Sequence, residues 1–248
     1  MLISPNSEGI NTQLKRSLEA GSADVAKGSG LTSTYVSNGS ELVQLSKELL
    51  LGFYLTSRFV CLVGRPASGK SFITNKLMEV TDLVPLCTST LIRERFADCP
   101  SILQTMTNGR LVDDDPVISL IRDRVTNTEE LKQGFAIDGF PRTVTQANWL
   151  RNFARYDKSN EPIIIHLNLD EDTCRLRAQE RAIAHHRSDD NMQIFERRLI
   201  EYKKFSAPTI ETYRGKGIIV DVDCTGTKEQ MWESAVLGII DTLNAPLL

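Results

Sequence analysis

The sequence predicts an α/β fold, a three-layer sandwich with helices on both faces of a five-stranded parallel sheet. Three observations carry this prediction. Runs of β-branched and apolar residues recur at 59–63, 84–87, 135–138, 163–169 and 218–222. Helical patterns separate them, and strands that alternate with helices are joined by parallel crossovers. The first run leads into Gly64-Arg65-Pro66-Ala67-Ser68-Gly69-Lys70-Ser71, a G-x-x-x-x-G-K-[ST] segment in the strand-to-helix setting that a phosphate-binding loop requires.

The 248 residues, 41% of them hydrophobic, suffice for one substantial core with an appendage but not for two large domains. A net charge of −3 without a basic tract leaves no footprint for a nucleic-acid partner. The longest apolar run, Leu49 to Leu55, is far short of the ~20 residues needed to span a bilayer. The five cysteines include no C-x-x-C pair, so neither a structural zinc site nor a redox motif is expected. Cys61 and Cys87 fall inside predicted strands, where a reduced thiol packs as a small apolar group, and a cytoplasmic setting follows. Glu8, Glu19 and Asp24 argue against an acid-poor transit peptide, although an organelle address stays open.

Residues 1–38 are rich in Ser, Gly, Asn and Thr and are expected to form a disordered tail, because they cannot bury enough surface to offset ordering. From 39 to 57 the pattern becomes that of one amphipathic helix behind a Ser40 cap, with Leu42, Val43, Leu45, Leu49, Leu50 and Phe53 on its apolar side. It is expected to pack on the domain formed by residues 58–248; a partner-binding or membrane-surface helix is the other reading. Within that domain Asp115 before Pro116 opens a helix, and Thr227 with Gln230 forms a capping box for the last one. That last helix is expected to bury Met231, Val236, Ile239 and Leu243.

The glycines of the loop let the backbone turn tightly, so that successive N–H groups and a helix N-terminus face the β- and γ-phosphates of a nucleotide. The triphosphate site expected is Gly64, Ala67, Ser68, Gly69, Lys70, Ser71 and Phe72, with Lys70 adding a mobile charge and Ser71 a hydroxyl for Mg²⁺. A second motif follows the third predicted strand: Asp138-Gly139-Phe140-Pro141-Arg142-Thr143, with Gln146 and Ala147 beyond it. A carboxylate at a strand's carboxyl end can hold Mg²⁺ through water, and an arginine at the next turn can fork onto a phosphate.

This second motif resembles the D-G-F-P-R-T-x-x-Q-A signature of adenylate kinases, the nucleoside monophosphate kinase family, and the resemblance runs from residue 58 to about 243. It implies a P-loop NTPase-type sandwich with an acceptor-binding insertion at 88–117 and a short lid at 181–189 that lacks zinc-binding cysteines. It also implies reversible transfer of the γ-phosphoryl of MgATP to AMP, giving two ADP, with Mg²⁺ met through water by Ser71 and Asp138. By resemblance, Arg93 after the second strand grips the monophosphate, Gly109-Arg110-Leu111-Val112 lies beside its base, and Gln146 bonds the adenine edge. The implied AMP site is Thr88, Arg93, Val112, Gly139, Arg142, Gln146, Arg187 and Arg198; Arg177 joins the ATP site.

The catalytic set implied is Lys70, Arg142, Arg177, Arg181, Arg187 and Arg198. Arg177 and Arg181, four apart, share a helix face, and Arg187 and Arg198 would share one if a helix joined them. Arg175, Arg197 and Lys203 read instead as a solvated face. So many cations suit phosphoryl transfer, which rests on positioning and on stabilising spread negative charge. The acceptor phosphate is already an anion, so His166, His185 and His186 receive no catalytic role.

The chain departs from the family in three places. Ser71-Phe72 replaces G-T, Ala67 replaces a loop glycine, and Cys87-Thr88-Ser89-Thr90 replaces S-T-G-D and so removes a carboxylate. Two alternatives remain at this point: a kinase for another monophosphate such as UMP or CMP, and a nucleotide-sensing or scaffold protein on the same fold.

Overall fold

The computed structural model describes residues 51, 52, 55, 58–126, 133–156, 161–185, 191–214 and 218–244. The predicted tail and most of the predicted amphipathic helix lie outside these residues. Leu51 and Leu55, one helical turn apart and both helical, are fully buried in a core cluster with Val60, Leu77 and Leu83. These two were not among the apolar positions read from the sequence, whose members fall outside the described residues.

Five strands form one parallel sheet in the order β2-β3-β1-β4-β5: β1 (Arg58–Gly64), β2 (Val84–Cys87), β3 (Gly134–Asp138), β4 (Ile163–Asn168) and β5 (Ile218–Asp223). The side chains of β1 show why its sequence is continuously apolar. Val60 and Leu62 face one layer, with Ile73 and Leu77 of α1 (Lys70–Val80) and Ala235, Val236 and Ile239 of α9 (Lys228–Asn244). Phe59, Cys61 and Val63 face the other, with Val117, Ile121 and Val125 of α4 (Asp114–Thr126), Leu150 of α5 (Val144–Tyr156) and Tyr213 of α8 (Ala207–Arg214). A strand covered on both faces has no polar position to spare.

The remaining helices are α2 (Thr88–Arg95), α3 (Pro100–Thr107), α6 (Glu171–His185) and α7 (Met192–Glu201), and a π-helical turn over Tyr202–Ser206 joins α7 to α8. The capping box of α9 is present: Thr227 N–H donates to Gln230 Oε1 (2.9 Å) and Gln230 N–H to Thr227 Oγ1 (3.3 Å). Met231, Val236 and Ile239 are buried as expected, while Leu243 is only partly so.

Four expectations need correction. Helix α4 starts at Asp114, ahead of the Asp115-Pro116 signal. Cys87, expected to pack inside β2, is exposed at that strand's carboxyl end. No single helix joins the 187 and 198 positions, because α7 has its own cap between them at Asn191, whose side chain accepts from Gln193 N–H. Arg175 is no bland solvated residue: it donates to Glu196 (2.7 Å) across to α7 and to Asp172 (2.9 Å) within α6, and so ties the two helices together. Lys203 is exposed, as read from the sequence, and bridges to Glu171 at 2.8 Å.

Candidate active site

Sheet register brings the two motifs together. Asp138 at the end of β3 pairs with Leu62 of β1 on one side and with Cys87 of β2 on the other. The phosphate loop, the turn after β3 and the start of α2 therefore open onto the same carboxyl edge, where ligands of open parallel sheets bind. A cavity of about 690 Å³ lies there. Among the predicted site residues it is lined by Gly64, Ala67, Gly69, Lys70, Ser71, Phe72, Thr88, Arg93, Val112, Asp138, Gly139, Arg142, Gln146, Arg177, Arg181 and Arg198. Ser68 is fully buried behind the loop instead, and Arg187 lies outside the described residues.

The loop has the geometry its glycines predict. Gly69, at φ 103°, precedes the first residue of α1 in a left-handed conformation that few other residues adopt. Ala67 also sits left-handed, at φ 63°, without the freedom of glycine. This is the position where the family spelling has glycine, and relieving it is expected to stabilise. Ala67→Gly should gain roughly 0.5–1 kcal/mol, the left-handed cost less the entropy of the added glycine. A thermal melt reads this as a rise of about 2 °C, and a fall in Tm contradicts it.

Lys70 Nζ folds back over the loop and donates to Gly64 O (3.1 Å) and Arg65 O (2.8 Å). Loss of solvent holds its pKa below the ordinary lysine value; Asp138 opposes this, whereas Arg142 and Arg181 add to it. Arg142 is depressed in the same way, first by desolvation, with Asp138 opposing and Arg198 adding to the shift. The site thus holds more positive charge than its two carboxylates, Asp138 and Glu201, balance, and an anion would relieve it. Ser71 Oγ stands 3.5 Å from Asp138 Oδ2, so hydroxyl and carboxylate face one point in the cavity.

At the opposite end Thr88 is buried, and its Oγ1 has no hydrogen-bond partner among the described residues. Arg142 Nε donates to Gly139 O at 2.8 Å, and a Cβ on Gly139 would displace the Arg142 guanidinium, 2.8 Å away at Nη2. The left-handed backbone of Gly139, at φ 87°, is what favours glycine there. Arg93 Nη1 reaches Ser89 O at 3.4 Å. From the far wall Arg177 Nη2 donates to Cys224 O at 2.8 Å, which ties α6 to the end of β5.

Gln146 departs from the simple expectation of an amide waiting for a base. It is 3% exposed, its Oε1 accepts from Arg142 N–H (2.8 Å), and its Nε2 donates to Asp114 Oδ1 (2.8 Å). Asp114 was not anticipated, nor were Tyr202 and Ser206 of the π-helical turn, which line the cavity. Ser206 Oγ donates to Arg142 O at 3.2 Å, and the Arg65 guanidinium lies 5.3 Å from the centre of the Tyr202 ring. His166 is a buried strand residue, as read from the sequence, held between Asp221 (2.7 Å) and Tyr202 (3.2 Å).

A family model described as adenylate kinase matches residues 62–218, which contain the loop, the Asp138–Arg142 turn and α6 and α7. The chain belongs to the adenylate kinase family. Similar curated proteins agree with that membership. The adenylate kinase of Caulobacter vibrioides (strain NA1000 / CB15N) is 33% identical over 190 residues, 75% of this chain and 96% of that one. Those of Hyphomonas neptunium and of Synechococcus sp. (strain WH7803) are 33% and 32% identical, over 68% and 67% of this chain and 90% of each relative. As a member of the family the chain is a nucleoside monophosphate kinase, and its cavity is lined both by the phosphate loop and by Arg93, Arg142, Arg177, Arg181 and Arg198.

Proposed function

We propose that this enzyme transfers the γ-phosphoryl group of MgATP reversibly to AMP, forming two ADP. One observation carries the reading: a single cavity is lined by the phosphate loop, by Arg93, Arg142 and the orphan Thr88 hydroxyl, and by Arg177, Arg181 and Arg198. The loop amides and Lys70 hold the donor phosphates, Arg93 and Arg142 hold the acceptor phosphate, and the wall arginines stabilise charge as it moves between them. Thr88, Val112, Gly139 and Gln146 complete the AMP site, and Arg187 joins the cationic set. Closure of residues 181–189 over the cavity would exclude water and favour transfer over hydrolysis.

Among the described residues no group of three His, Cys, Asp or Glu side chains is placed to hold a metal ion. The hydroxyl of Ser71 and the carboxylate of Asp138 fit Mg²⁺ that arrives on the nucleotide, and would hold it through water. Bound there, Mg²⁺ would neutralise developing charge on the β- and γ-phosphates. The chemistry needs no general base, because the attacking oxygen is an anion held in line by arginines. The free cysteines fit a reducing cytoplasm, and no described helix is long and apolar enough to cross a membrane.

The reverse reaction supplies a direct test. Given Mg²⁺ and ADP alone, the enzyme is expected to produce ATP and AMP in equal amounts, followed by phosphorus NMR. Release of inorganic phosphate without AMP, or no change, would overturn the proposal.

A further inference from the structure

The acceptor end of the cavity contains a closed hydrogen-bond network around one carboxylate. Asp114 Oδ1 accepts from Gln146 Nε2 (2.8 Å) and from Thr143 Oγ1 (2.8 Å). Thr143 Oγ1 in turn accepts from Gln146 N–H (3.1 Å), and Gln146 Oε1 accepts from Arg142 N–H (2.8 Å). A backbone N–H only donates and a carboxylate only accepts, so the two ends of the Gln146 amide are not interchangeable. The amide oxygen must meet Arg142 and the amide nitrogen must meet Asp114.

This arrangement leaves the amide one N–H and one lone pair. Gln146 lines the cavity whereas Asp114 stands behind it, on the first turn of α4. We infer that Asp114 is a positioning residue that sets acceptor-base specificity, by locking the Gln146 amide in the orientation that pairs with a 6-aminopurine and rejects a 6-oxopurine. Adenine presents an amino donor beside a ring-nitrogen acceptor. Hypoxanthine presents an oxo acceptor beside an N–H donor, the reverse order. An amide free to turn over would satisfy either base, whereas a locked one leaves two polar groups unpaired against hypoxanthine. The inference rests on the AMP-kinase reading of the site and on Gln146 as its base contact.

The competing role for Asp114 is structural, since a carboxylate on a first turn also stabilises its helix. The two roles are separated by the ratio of kcat/KM for AMP to that for IMP. Because both substrates are measured on one preparation, the folded fraction cancels. Asp114→Ala is expected to lower this ratio at least about tenfold, mainly through a lower KM for IMP. Asp114→Asn keeps an oxygen that can accept both hydrogen bonds, and should retain most of the wild-type ratio. A structural role would lower both substrates together and leave the ratio unchanged, which would overturn the inference.

Gln146→Met, which keeps the buried volume but neither donates nor accepts, is the second variant. It must lose the same discrimination, and an unchanged ratio there is equally fatal, whether or not Asp114→Ala folds. A wild-type enzyme that does not phosphorylate AMP at all would instead overturn the functional reading on which the inference stands.

Discussion

Replacing Arg142 by Ala is expected to lower kcat with MgATP and AMP by on the order of a thousandfold, while the free enzyme melts within a few degrees of wild type. The catalytic loss follows from the guanidinium's place in the cavity, beside Asp138 and Arg198, where removing one preorganised charge leaves the migrating phosphoryl group unbalanced. The small stability effect follows from the same surroundings. Desolvation and Arg198 already hold the Arg142 pKa down, so the unliganded fold gains little from this charge. The bond from its Nε to Gly139 O is lost, but the bond from its backbone N–H to Gln146 remains. Steady-state kinetics beside a thermal melt checks both halves. Near-normal turnover would remove Arg142 from the mechanism, and a collapse of Tm would make its role structural.

Lys70→Met is expected to have an equally large effect on turnover, with a pH signature of its own. Methionine retains most of the stem volume and removes the ammonium, so loss of transfer reports the charge and not a cavity. Lys70 has a folded-state pKa below its unfolded value of 10.5, which means that the unfolded chain binds the extra proton more readily. Stability therefore rises with pH through the interval between the two values, and the cost of the buried charge is largest below the folded pKa. In the absence of nucleotide Lys70→Met should match or exceed wild type in Tm near neutrality, and wild type should gain on it as pH rises towards 10.5. Saturating MgATP should raise the wild-type Tm far more than that of the variant, because only wild type gains the phosphate contact. Equal nucleotide-induced shifts would show that Lys70 does not meet the phosphates.

Local features of the sequence account for most of what it made readable. The strands stand out because both faces of the sheet are covered, so Phe59 to Val63 and Ile163 to Leu167 contain almost no polar residue. The phosphate loop is readable because one short segment supplies its turn, its lysine and its helix N-terminus. The Thr227–Gln230 cap is readable for the same reason, since a side chain three residues away meets its own backbone. What escaped is non-local. Asp114 meets Gln146 only because α4 and the start of α5 are packed side by side, and nothing in the residues around Asp114 announces a partner 32 positions later.

Periodicity misled where it was extended across a break. Arg187 and Arg198 are spaced as if on one helix, yet α7 restarts at the Asn191 cap, and only Arg198 can be placed in the cavity. The setting of Arg175 among charged residues reads as a solvated face and gives no sign of the α7 carboxylate it holds. Cys87 is expected to pack inside its strand because a run of apolar residues does not give the direction of its last side chain. As the last residue of an edge strand it opens onto the cavity instead. The π-helical turn that brings Tyr202 and Ser206 to the site has no recognisable sequence signature.

ADP formation from MgATP, measured in parallel with AMP, UMP, CMP, GMP and no acceptor, and with Lys70→Ala as control, tests the account most directly. Fast turnover with AMP, little with the other acceptors and none in the control is the predicted result. Measurable ATP binding without transfer to any acceptor would contradict it.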